Sequence, residues 1–477
     1  MFEVVPLGMH FFSKKNILFL MAVVCSTVFL SGCGFKSSAP EKYLVRLEVW
    51  GVFDDSDAYT EIFNDYQKMN PYIGQITYRK LPLETYKEDL LNALAAGKGP
   101  DIFMIRNAWR GSFEDKVVPA PDTSVTEKQF RDAFVDVAVD DFVSDGKIYG
   151  VPLSVDSLGL YYNKDIFNAA GITGPPVTWE ELLLDVQKLN SIDGLGNVNQ
   201  SAIALGTAYN INRSTDILTA LMFQMGSSIN QTKEGRTEFS DENSRRALDF
   251  YTQFARVGSN YYSWNPRLHY SIDAFYEGTL GMMINYSYHS ATIRQKNAKL
   301  NFGVAPLPQF AGRAPVNIAN YWGFAVAKNK VTEDAGTQGM LKNAVKLDAE
   351  TENTLRIHEA WQLLNYIALP HPEGKITLRN GLEGTMADFP LTSDPTKKYL
   401  EKTGKPAARR DLIDTQKNDV LIAPFALGNL IAKNWYQGNP EAVETIFAEM
   451  INGVNLGEQS IGDALTTASR RINVLNR

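Results

Sequence analysis

The sequence predicts an α/β protein in which mainly parallel sheets are covered by helices on both faces. Three observations carry that reading. Val45, Leu47 and Val49 alternate with Arg46, Glu48 and Trp50, the period-two pattern of a strand. Tyr59, Ile62, Phe63 and Tyr66 then fall at i, i+3, i+4 and i+7, one face of a helix that Pro71 stops. The pattern repeats: Ile73 to Tyr78 reads as a strand, Tyr86, Leu90, Leu91 and Leu94 as a helix closed by Gly97, and Asp101 to Ile105 as a short buried strand. A βαβαβ order builds a parallel sheet, and ligands of such sheets sit beyond the carboxyl ends of the strands. The loops at 51–57 and 106–111 are the first places to look for a site.

Later elements announce their ends. Thr178-Trp-Glu-Glu181 is a capping box for a helix through Leu189. Asn439 before Pro440 is an N-cap with proline at the first helical position. Ser460 with Asp463 opens a last helix whose inner face is Ala464, Leu465, Ala468 and Ile472. The stretches 191–200 and 370–411 are rich in Gly, Pro, Asn and charge and read as loops or insertions. There is no internal repeat.

The chain has 477 residues, 44% of them hydrophobic and 21% charged, an ordinary soluble composition. A net charge of −7 gives no electrostatic footprint for nucleic acid. The two cysteines, Cys25 and Cys33, both lie near the start. Lys14 and Lys15 precede an uncharged apolar run from Ile17 to Leu30. That is the length of a signal h-region, and a helix needs about 20 residues to span a bilayer. Leu30-Ser-Gly-Cys33 resembles the bacterial lipobox, which implies removal of residues 1–32, lipidation of Cys33 and a tether at 33–43. A two-chain lipid would hold an exported protein to the outer face of a membrane in the cell envelope. An uncut anchor helix with Cys33 incidental is the competing reading. The remaining body has no cysteine and needs no disulfide framework; about 440 residues suffice for two domains standing on their own cores.

Five blocks stand in order along the chain: Gly97-Lys-Gly-Pro-Asp101, then Tyr161-Tyr-Asn-Lys-Asp-Ile-Phe-Asn-Ala-Ala-Gly171 with Pro175-Pro-Val-Thr-Trp-Glu-Glu-Leu182, Phe275-Tyr-Glu-Gly278 through Met283, Gly303-Val-Ala-Pro-Leu-Pro308, and Trp435-Tyr436 with Gly457 to Leu465. Together they resemble the extracellular solute-binding proteins of ABC importers, family 1, the maltose-binding-protein-like group. The resemblance implies a two-lobed periplasmic-binding-protein fold of type II, each lobe a mainly parallel sheet flanked by helices, with a hinge crossed several times. It places the crossings near 150–155, 285 and 328. Lobe one is then 44–154 plus 286–328, and lobe two 155–285 plus 329–477. Residues 331–360 and 370–415 look longer than the family norm.

A sugar has apolar C–H faces and a rim of hydroxyls, so its site needs flat aromatics and convergent polar groups. The candidates after the first strand are Asp54 and Asp55; after the DIFMI strand, Asn107 and Trp109. Asp156 follows the first expected crossing, where the resemblance implies an acid that meets sugar. Tyr209 and Trp264 stand in polar loops. Asn285, Tyr286 and Tyr288 follow the Met282-Met283 strand, and the resemblance implies a stacking aromatic at Tyr288. Tyr321 and Trp322 precede the third crossing, and Trp435 matches the family's stacking position. Trp361 lies in an amphipathic run and reads as core.

No H-E-x-x-H, G-x-S-x-G or phosphate-loop motif is present, and no cysteine pair for zinc. The resemblance, together with the lipobox, implies a lipid-anchored substrate-binding subunit. It would act as a monomer without metal or cofactor, capture a carbohydrate between two lobes and hand it to ABC permease subunits. A solute-binding sensor or adhesion component, and a secreted carbohydrate-active enzyme, are the alternatives.

Overall fold

The computed structural model describes residues 44–227, 229–231, 237–328, 330, 348–380 and 385–475. The expectations for residues 1–43, Cys33 included, lie outside the described residues, as do those for 331–347.

Two hydrophobic cores form, each around its own five-stranded sheet. In the first, the strand order is Ile73–Lys80, Val45–Gly51, Ile102–Arg106, Trp322–Ala327, Val117–Val118. The first three run parallel, as the βαβαβ pattern requires. Trp322–Ala327 pairs antiparallel on both sides. In the second sheet the order is Phe302–Pro306, Gly159–Asn163, Leu280–Asn285, Val198–Ile203, Ser191–Ile192. Only Leu280–Asn285 with Val198–Ile203 is parallel there. The sheets are thus mixed, not mainly parallel. The antiparallel strand Trp322–Ala327 enters from the other lobe, so no βαβ crossover fixes its direction.

The capping signals form as read. Thr178 and Glu181 close a reciprocal capping box, and the Asn439 side chain accepts from the Ala442 N–H. Leu280–Asn285 is buried on both faces, and Trp179 and Trp361 are fully buried, one in each core. Burial of side chains this size contributes about 1.5–3 kcal/mol each.

The lobe boundaries differ from those expected in two places. Segment 286–318 joins the second core, because strand Phe302–Pro306 pairs with Gly159–Asn163. Segment 355–413 joins the first core. Helix Ala349–Ala368 is pinned there by Asn70, whose amide donates to Glu359 Oε2 (2.7 Å), and by an Arg356–Asp101 ion pair. The chain changes core at 155–158, at 318–319 and between 413 and 443, rather than at 285 and 328.

Three strands meet at this junction. Ser157 bridges Ala319 antiparallel, and Asn317–Ile318 runs parallel to Ala432–Lys433. The Asn317 side chain accepts from Leu158 N–H and donates to Leu158 C=O (3.2 and 2.8 Å). Gly428 packs where any Cβ would collide with Ser157 Oγ. Hinge-type closure in other proteins turns on a few loop or element-terminal residues, and the connections between these two cores are of that kind. Among the described residues no helix is long and apolar enough to cross a membrane.

Candidate ligand cleft

A narrow cavity of about 60 Å³ lies between the two cores, well below the volume of an ordinary small-molecule site. Arg106, Asn107 and Asn320 line it from the first lobe; Asp216, Tyr286 and Trp435 from the second.

The first-lobe wall is the carboxyl end of strand Ile102–Arg106, as strand order dictates. Arg106 Nε donates to Asn320 Oδ1 (3.3 Å). Asn107 donates to Asp141 Oδ2 (3.0 Å), which also accepts from the Tyr321 hydroxyl (2.7 Å) and the Asn434 amide (2.8 Å). Burial raises the Asp141 pKa, and these three donors oppose the rise. Asp141 thereby ties the first lobe to the segment that leads into the second.

The second-lobe wall is aromatic. Tyr286 and Tyr288 stack with centroids 6.3 Å apart, and the Tyr286 hydroxyl donates to Asp216 Oδ2 (2.9 Å). Trp435 packs on Phe447 (6.2 Å), and its buried indole N–H has no partner. Asp156 stands at the first crossing, between Val155 of the first core and Leu158 of the second. It accepts from Ser287 N–H (3.1 Å) and Ser287 Oγ (2.8 Å), and burial pushes its carboxyl up to about 7. Asp156 and Tyr288 thus lie next to Tyr286, the first through Ser287 and the second by stacking, and Tyr286 and Trp435 both line the cavity.

At the cleft mouth the lobes touch. Glu441, in the first turn of helix Pro440–Asn455, accepts from Trp109 Nε1 (3.0 Å) and pairs with Lys87 (3.3 Å). A side chain at Gly111 would strike the Tyr436 hydroxyl.

Other expected residues lie elsewhere. Trp264 is 1% exposed inside the second core, not a platform in a polar loop, because flanking Ser263 is hydrogen-bonded into the sheet. Tyr321 is 3% exposed, its hydroxyl spent on Asp141. Trp109 is 5% exposed and packs on Phe113 and Trp322. Trp322 is held edge-on by Phe53 and Trp109. Asn285 is buried, its amide donating to Asn212. Tyr209 is 65% exposed and lines no part of the cavity. Asp55 is exposed and paired with Lys80. Asp54 is engaged by the Tyr59 and Tyr399 hydroxyls and by Lys405.

Sequence reading missed Arg106, Arg213, Asp216, Asn320 and Asn434. The polar start Ser214-Thr-Asp216 of an otherwise apolar helix was the one available signal for Asp216. Arg213, in the left-handed region at φ 62°, had none.

Two cores, a three-stranded junction and a cavity between the lobes define a two-lobed solute-binding fold. The chain belongs to the family of bacterial extracellular solute-binding proteins, whose model matches residues 51–370. A protein of Brucella abortus described only as a binding protein is 25% identical over 325 residues, 68% of this chain and 71% of that one. The arabinooligosaccharide-binding protein of Bacillus subtilis is 26% identical over 206 residues, 40% of this chain and 46% of its own. The sugar-binding protein MalE of Xanthomonas citri superposes with a TM-score of 0.67 at 19% identity, covering 91% of this chain and 97% of that one.

Proposed function

We propose that this protein captures a carbohydrate between its lobes and delivers it to an ABC permease from a lipid anchor at Cys33. The observation that carries the reading is the interlobe cavity with Tyr286 and Trp435 on one wall and Arg106, Asn107 and Asn320 on the other. Aromatic faces suit sugar C–H surfaces, and amide, guanidinium and carboxylate groups suit hydroxyls. The family relationship and the oligosaccharide-binding relative support it. A ligand that touches both walls favours the closed arrangement by its differential affinity for it. The protein binds without chemical change: the family members compared above are binding proteins, and the acids at the cavity are engaged by neighbouring donors or stand at its rim.

Thermal unfolding of the chain from residue 34 onward, scanned against neutral and acidic oligosaccharides, tests this. A true ligand at a hundred times its dissociation constant stabilises by about 2.7 kcal/mol. No shift across the panel would remove carbohydrate from the reading. Release of labelled products from a bound oligosaccharide would make the protein an enzyme.

A further inference from the structure

Among the described residues, the buried Arg409 and Arg356 and the half-buried Lys405 are each held in an ion pair. Arg409 pairs with Asp394 and Asp411, Lys405 with Asp54, and Arg356 with Asp101. Arg213 differs. It is half-buried beside the second-lobe wall, its guanidinium 5.8 Å from the ring centroid of Tyr286, which lines the cavity. Its one hydrogen bond is a long one, Nη2 to the Tyr288 hydroxyl at 3.4 Å, and its buried Nε has no partner. Asp216 is the acid that acts on it through space, but one oxygen of that carboxylate holds the Tyr286 hydroxyl, and no Arg213–Asp216 ion pair forms among the described residues.

Two neighbours also leave donors unused, His289 as a neutral ring because burial and then Arg213 push its pKa down to about 4. His289, 7% exposed with its ring 4.2 Å from Tyr288, has no partner on either ring nitrogen. Across the cavity Arg106 is held only by Asn320, again with no ion pair among the described residues. Asp216 supplies Arg213 with a counter-charge through space, but a buried donor left without an acceptor, as the Arg213 Nε is, is costly. Arg213 also occupies a backbone region that arginine rarely adopts, a strain that proteins retain chiefly at functional positions.

We propose that Arg213, with His289 beside it and Arg106 across the cavity, seats an oxyanion of the solute, so that the captured sugar carries a carboxylate or phosphate. The inference rests on the carbohydrate reading above and narrows it to an acidic class. Arginine suits such a group because its planar donors match two oxygens at once.

The experiment is titration calorimetry on the folded chain with three probes: maltotriose, trigalacturonic acid and glycerol 3-phosphate. An acidic probe is expected to bind at least about tenfold more tightly than maltotriose, the low end for a hydrogen bond to a charged group. Arg213→Gln should remove that advantage and leave maltotriose within about threefold of its original affinity. Arg213→Asn, whose side chain tolerates the left-handed backbone, gives the same comparison should the glutamine variant misfold. Maltotriose binding as tightly as the acidic probes would overturn the oxyanion site and leave the carbohydrate reading intact. Binding of glycerol 3-phosphate alone would support the oxyanion site and overturn the carbohydrate reading. Silence from all three would overturn both.

Discussion

The two lips of the cleft treat their polar groups in opposite ways. On the first lobe, Asp54 follows the first strand, where a ligand acceptor was expected, yet it holds two tyrosine hydroxyls and both contacts of Lys405 at 2.6 and 2.7 Å. Tyr399 and Lys405 come from segment 395–405, inside the stretch that looked long for the family. On the second lobe, Arg213 Nε, both His289 nitrogens and Trp435 Nε1 have no partner at all. A carboxylate that has lost its water to fixed donors has little left to offer a solute, whereas an unpaired buried donor gains about 1–3 kcal/mol when one arrives. Under the proposed function, the donors left for a solute are those of the second lobe together with Arg106, Asn107 and Asn320, and Asp54 is already engaged by segment 395–405.

Four substitutions test this contrast. Trp361→Ala should cost about 3–5 kcal/mol of unfolding free energy, as for other large core truncations. Its helix belongs to the first core; a loss below about 1 kcal/mol in chemical denaturation would detach segment 349–413 from that lobe. Asp156→Asn should change the pH profile. The folded carboxyl titrates near 7, above its unfolded value, so its contribution is fully present below about pH 4 and lost as pH rises through 7. That amounts to a decline on the order of 4 kcal/mol for a shift of this size. Glu359, raised by burial to about 7 as well, adds a decline in the same window. Asp156→Asn should remove the hinge share and leave the Glu359 share, which denaturation curves between pH 4 and 8 would read.

Smaller effects separate the two lips. Trp435→Ala should weaken ligand binding by about tenfold to a hundredfold, the usual loss for an aromatic anchor, measured by calorimetry. Asp55→Asn should change binding and stability by less than about 0.5 kcal/mol, because its partner Lys80 is also exposed. A strong binding defect there would restore the first-lobe lip to the site.

Much of the fold was legible because local rules govern it. The βαβαβ order, the Thr178 capping box and the Asn439 cap depend on residues a few positions apart. Strand direction and lobe membership do not. Whether Phe302–Pro306 joins one sheet or the other is decided by partners such as Gly159–Asn163, more than a hundred residues away. Of the expected site residues, the structure puts Asn107, Tyr286 and Trp435 at the cavity, the first two read from their place after strands and the third from the family resemblance. Trp264, Tyr321 and Trp109 misled: an aromatic in a polar stretch looks like a platform until the neighbours that bury it are known. Arg213 was hidden, since nothing in a string of residues reveals an unpaired guanidinium.

The most direct measurement is the distance between spin labels on the two lobes, at Glu88→Cys and Asn260→Cys, both exposed. With Cys25 and Cys33 outside a chain that starts at residue 34, the labels have no native thiol to compete with. Addition of the bound sugar is expected to shift the distribution toward one shorter, narrower separation. An unchanged distribution with the sugar demonstrably bound would contradict capture by closure of the two lobes.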